Sequence, residues 1–159
     1  MAAGVPMTAE MRMEELRKQD TGPDLSKGRL IEEVWGTEED GTPYVERTYI
    51  ENIAGNVSIV ALTESKRYTK TKSYGATGSV EVSATFTWNT SAKTVYVSDI
   101  TGDIVNPAGI SEIKDKTTSE SGNGTSKATA KFSCRVNKNL GGWATYSVSL
   151  SCDYNGKDS

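Results

Sequence analysis

The chain has no histidine. That removes Ser–His–Asp and Cys–His activation of a nucleophile and every histidine-containing zinc site. Two cysteines, Cys134 and Cys152, cannot make a four-cysteine site either. Carboxylates remain, because a pair of Asp or Glu residues suffices for glycoside hydrolysis. Glu81, Asp99 and Asp103 are the candidates, yet none sits in a partner motif, and a solvated strand face and a turn account for all three. Glu38, Glu39 and Asp40 form an acidic run without an EF-hand loop around it, and read as a charged hairpin turn. Phosphate-binding glycine patterns are missing, and the glycine of Asn123-Gly124-Thr125 is explained by a turn. The residues therefore assign no catalytic group, no metal and no cofactor.

Binding chemistry is better supplied. Aromatic rings give contact area at little entropic cost, but most of the seven Tyr and three Trp read as packing; Trp88 and Tyr146, for example, share parity with aliphatic neighbours. Trp143 stands apart, beside Gly141 and Gly142 at a hairpin tip, where an exposed ring needs a reason. Lys66, Arg67, Lys70 and Lys72, with Tyr68 among them, offer contacts to an anionic partner. The competing role for those amines is protection of a strand edge. Trp143, Tyr68, Lys66, Arg67 and Lys70 form the candidate binding set.

These residues must be held by strands. SVEVSATFTWN puts Val80, Val82, Ala84, Phe86 and Trp88 on one side and Glu81, Ser83, Thr85 and Thr87 on the other, the period of a half-buried strand. KTVYVSDI follows NTSA as its hairpin partner. RLIEEVW and YVERTYIEN flank a turn at Asp40 and Gly41. VSIVALT from Val57 reads as a third strand, and SKRYTKTKSY as a lysine-studded edge, with Lys66, Tyr68, Lys70 and Lys72 on one parity. Gly102 to Gly109 reads as a loop around Pro107, Ile110 to Thr118 as a short strand, and SESGNGTS as a break. SKATAKFSCRVNK and WATYSVSLSCDYN close the chain as a hairpin about NLGG.

Only TAEMRMEELRK, capped by Thr8, has helical character. QDTGPDLSKG then reads as a linker. Residues 1–27 are thus expected to be a helical arm that adds little to the core, and 28–159 a single β domain. Seven or eight strands divided by turn signals predict an all-β, antiparallel β-sandwich of immunoglobulin-like shape, with a barrel as the alternative.

A chain of 159 residues can bury one core. Leu, Ile, Val and Phe are sparse, but 18 basic against 21 acidic residues leave a net charge of only −3, so the balance favours folding over disorder. That charge also gives no footprint for nucleic acid. No run approaches the roughly 18 apolar residues that span a bilayer, so stable membrane insertion is not expected. MAAGVPM has no signal-peptide h-region; AAGVP instead reads as an end left by cleavage behind small residues. Asn56-Val57-Ser58, Asn89-Thr90-Ser91 and Asn123-Gly124-Thr125 fit the N-glycosylation pattern, which matters only in a eukaryotic secretory pathway.

Over residues 57–156, VSATFTWNTSAKTVYVSDITG and SKATAKFSCRVNKNLGGWATYSVSLSCDYNG resemble small secreted β-rich proteins of Gram-positive bacteria, many from gut communities and without assigned function. The resemblance implies export rather than an activity, and carries over no functional residues. Together these readings lead to an expected secreted or cell-surface, non-enzymatic binding domain for a protein or glycan. The alternative is a secreted toxin or pore former, with residues 79–98 as the inserting hairpin, because alternating Ser/Thr and apolar residues also suit membrane strands.

The last expectation concerns the cysteines. Cys134 lies on the apolar parity with Phe132 and Val136, and Cys152 with Val148 and Leu150. Their midpoint is residue 143, near NLGG, so a hairpin folded there would bring them into disulfide range.

Overall fold

Strands with hydroxyls on one parity and apolar groups on the other must pair into sheets and then stack dry face to dry face. The computed structural model describes residues 8–39, 41–51, 63–75, 78–105, 110–138 and 142–158. Helix α1 (Ala9–Gln19) and a single 3-10 turn (Leu25–Lys27) precede eight strands. These are β1 (Arg29–Thr37), β2 (Pro43–Glu51), β3 (Thr63–Ser73), β4 (Ser79–Asn89), β5 (Thr94–Val105), β6 (Ile110–Ser121), β7 (Lys127–Lys138) and β8 (Gly142–Asp153). The first five form one antiparallel sheet and the last three another, both in sequential order. The two sheets stack as the all-β sandwich that the alternation predicted.

The core lies between them. Val80, Val82, Ala84 and Phe86 of β4 are out of water against Ala128, Ala130, Phe132 and Val136 of β7, with Leu150 and Cys152 from β8. Gly102 of β5 lies flat on the Phe132 ring, where a Cβ would have no room. The outward residues pair across strands through hydroxyls, as in Ser65 with Thr87 at 2.6 Å and Thr129 with Ser151 at 2.7 Å.

Four expectations change. β3 is not an edge: it runs between β2 and β4. Its lysines share one face for another reason, given below. β5 continues to Val105, so the segment from Gly102 begins as strand rather than loop. The disulfide is absent, because β7 and β8 fold about a register that pairs Cys134 with Tyr146 and Cys152 with Ala128. Ala128 is six places along β7 from Cys134, which at ~3.3 Å per residue separates the sulfurs by about 20 Å. Both cysteines do face the core, as their parity required. The strand from Val57, Asp40 of the first turn, residues 106–109 and the NLGG residues 139–141 lie outside the described residues.

The arm is the fourth. It crosses the outer face of β2, where Val45, Arg47 and Tyr49 are all buried. Asp20 takes two hydrogen bonds from the Arg47 guanidinium at 2.8 and 2.6 Å, and Glu33 accepts from Arg47 Nε at 2.8 Å. The Asp24 amide donates to the Tyr49 hydroxyl at 3.0 Å, and Lys27 reaches Glu81 on β4 at 2.6 Å. Leu16, only 2% exposed, joins the buried set. The arm is therefore a packed part of the fold.

Candidate functional site

Three strands cannot cover five. β8 lies across β3 and β4, and β7 across β4 and β5; on β2 the inward Thr48 and Ile50 are still buried, while the inward Glu32 and Val34 of β1 are exposed. Val34 of β1 points to that side and is 43% exposed. Around it the strip carries Glu32, Glu46 and Thr48, with Lys70 and Lys72 of β3 at its border. Only its β1 side is open to water: Glu32 and Val34 are exposed, whereas Thr48 is buried and the charges of Glu46, Lys70 and Lys72 are part-buried and offset by ion pairs. Lys70 meets Glu46 at 3.6 Å. Lys72 pairs with Glu38 and stands 4.2 Å from the Tyr44 ring centroid.

Two clefts lie end to end along the free side of β8. One, of about 350 Å³, is bounded by Glu46, Lys70 and Lys72 on one side and Ser147, Val148, Ser149 and Ser151 on the other. The other, of about 430 Å³, is lined by Glu38, Glu39, Thr42, Tyr74 and Lys138 with Trp143 to Tyr146. Tyr74 and Tyr146 stack at 4.2 Å and join β8 to the end of β3. The Tyr74 hydroxyl donates to Glu38 at 2.9 Å, and burial beside that carboxylate pushes its pKa well up.

The far end of the strip is closed by the chain's tail. Asp153 turns it, accepting from the Asn155 and Lys157 amides, and Asp158 returns to bridge Cys152. Gly156 lies against Trp88, and its carbonyl accepts from the Tyr68 hydroxyl at 2.6 Å. Asp158 meets Glu32, and the carboxyl–carboxyl hydrogen bond raises the Glu32 pKa, with desolvation and charge repulsion adding to it. One Asp158 carboxyl oxygen, Oδ2, is buried and meets no donor.

The candidate binding residues do not converge. Trp143 is 40% exposed at the start of β8, with Lys114 Nζ at 4.2 Å and Arg135 Cζ at 5.3 Å from its ring. It lines the larger cleft and Lys70 the smaller. Tyr68 is 2% exposed and edge-on to Phe86 in the core, so it offers no surface to a ligand and instead positions the tail. Arg67 lies on the opposite face, holding Thr85, the Asp99 carbonyl and Thr101 at 3.0 to 3.2 Å. Lys66 stands 3.8 Å from Glu64. Sequence reasoning passed over Glu32, Glu46 and Asp158, and weighed Lys72, Tyr74 and Tyr146 without placing them in one site. Only the shared parity of Lys70 and Lys72 signalled the strip.

The carboxylates first considered for catalysis are otherwise engaged. Glu81 and Asp103 stand opposite each other on β4 and β5, but Lys27 holds the first and Lys116 the second at 2.9 Å. Asp99 sits in the β5 bulge with φ of 52°. Burial raises both thiols, that of Cys152 to about 12, which leaves neither as a nucleophile near neutral pH. Among the described residues no cluster of His, Cys, Asp or Glu is arranged to hold a metal, and no helix is long and apolar enough to cross a membrane. Comparisons with protein-family models, curated proteins and solved structures gave no match.

Proposed function

We propose that the chain is a secreted or cell-surface, non-enzymatic domain that binds a protein or glycan in the strip beside β8. One observation carries this reading: an open cleft pair runs along a strand and ends on an exposed tryptophan flanked by two cations. Binding sites take this form, with an aromatic anchor and a few polar groups around it. A glycan array and a cell-surface pull-down with the intact chain test it, alongside Trp143→Ala. Binding that falls with the variant while the melting temperature holds supports the reading. Unchanged binding by Trp143→Ala, or a reproducible hydrolase signal with no binding, overturns it.

The toxin alternative gains nothing from the arrangement. Residues 79–98 supply Val80, Val82, Ala84 and Phe86 to the centre of the core, and β3 pairs with the other side of β4. Inserting that hairpin in a membrane would dismantle both sheets. Liposome leakage by the folded chain is the measurement that would revive it.

A further inference from the structure

Sheet edges present unpaired amides and carbonyls, and proteins guard them with charge, proline or bulges. Among the described strands, three of the four sheet edges are guarded. β1 carries Arg29, Glu32 and Glu33 and a bulge. β5 is bulged at Asp99, and Thr125 bridges its Val95. β6 has five charged residues, two register shifts and Asp115 at φ of 55°. β8 has none of this: GWATYSVSLSCD pairs with β7 in unbroken register over its whole length, without proline, and its one charge is the terminal Asp153.

We infer that the outer edge of β8, from Trp143 to Ser151, where no other described strand pairs, takes up an extended polypeptide segment of a partner as a fourth strand of the small sheet. The inference rests on the binding-domain reading and names the partner class. The edge already accepts a strand at one end, where Asp158 bridges Cys152 in antiparallel register. The side chain of that added residue reaches Glu32 on the uncovered strip. A strand continuing from Asp158 toward Trp143 would run along the two clefts, on the side where Glu32 and Val34 of β1 are exposed among the described residues.

The occupant must be one strand thick. A second copy pairing antiparallel through its own β8 would be related by a two-fold axis perpendicular to the sheet. Both five-stranded sheets would then lie on the same side, and both overhangs would need the space above the junction. A single extended chain has no such conflict. Its chemistry is set by the strip: near the closed end the described residues include Glu32, Asp158 and Glu46, with Lys70 paired to Glu46. A Lys or Arg among the segment's first residues, on the inward parity, supplies the complementary charge to Glu32. Proline is excluded wherever the segment's amide must reach β8.

Selection from a displayed library of random octapeptides against the intact chain tests this, followed by synthesis of the enriched peptides with single N-methylated amides. Strand addition predicts enrichment of Lys or Arg near the amino end, depletion of central proline, and chemical-shift changes in the β8 amides. It also predicts that N-methylation at alternate positions weakens binding by roughly tenfold or more while the intervening positions tolerate it. Glu32→Gln with Asp158→Asn should abolish the preference for the basic residue but keep the alternation. No enrichment, indifference to N-methylation, or a concentration-dependent dimer that protects β8 would overturn the inference. If glycan binding sensitive to Trp143→Ala persists in any of those cases, the binding-domain reading survives without it; if that is lost as well, both fall.

Discussion

Along β4 the inner face of the large sheet carries Val80, Val82, Ala84 and Phe86, all out of water beneath β7 and β8. Two and three strands away the same face carries the part-buried Glu46, then the exposed Glu32 and Val34. Backbone pairing is continuous across the sheet, so the contrast comes from what lies opposite. Where strands stack, apolar groups are required; on β1 water reaches Glu32, and between them the part-buried Glu46 is offset by Lys70. Exposure on this face rises only at β1, and exposure decides where a ligand has room.

The largest effect expected of this contrast is on stability. Phe86→Ala should cost about 3–5 kcal/mol in chemical denaturation, as a large ring deleted from a packed site leaves a cavity. Val34→Ala, on the same face, should stay within about 0.5 kcal/mol. Equal losses would mean that the strip is covered after all.

Arg47 sharpens the comparison from the outer face. It is only 6% exposed and is satisfied by Asp20 and Glu33, so Arg47→Ala strands two carboxylates and should cost about 3 kcal/mol. Removing residues 1–27 should likewise lower the melting temperature clearly, through loss of Leu16 burial and of the Asp20 clamp. A truncated chain that melts with the intact one would return the arm to the status of a loose appendage.

pH separates two carboxylate sites with opposite signs. The Arg47 hydrogen bonds hold Asp20 and Glu33 below the usual carboxylate range. Their contribution is present above the unfolded pKa values and is lost as pH falls through the folded ones. The Asp158 hydrogen bond raises Glu32. Its contribution is present below the unfolded pKa and is lost as pH rises through the folded one. Asp158→Asn should therefore raise stability at pH 7 and flatten the loss that sets in as pH rises above the unfolded Glu value, by less than about 1 kcal/mol because Glu32 is solvent-screened. The same variant leaves the acid limb to Asp20 and Glu33. A lowered stability at pH 7 would contradict the carboxyl pair.

Much of the fold was legible because β4 alternates without interruption between a dry face and a hydroxyl face, and the β1–β2 and β4–β5 hairpins carry their turn residues in plain view. Lys70 and Lys72 were misread for a definite physical cause. Charges on one parity arise on a guarded edge and on a part-buried, ion-paired face alike, and a local pattern does not name the distant partners, Glu46 and Glu38. The cysteines failed in register rather than in facing: a hairpin centred at residue 140 in place of 143 keeps both inward and moves them far apart. Arg47, Asp20 and Glu33 were invisible for a related reason, since chain segments up to 27 residues apart meet only once the arm has packed. The thiols give a simple check. Alkylation of unfolded, unreduced protein should add two labels, and native protein should react slowly; a single uncleaved bridge would reverse the register of β7 and β8.

Amide hydrogen exchange along β8, read residue by residue by NMR, bears most directly on the open strip. Between Trp143 and Ser151, alternate amides should be protected by β7 while those between them exchange near the rate of unstructured peptide, with protection returning at the Cys152–Asp158 bridge. Uniform protection along β8, equal to that of β7 at its centre, would show that its edge is already filled and that no open strip exists.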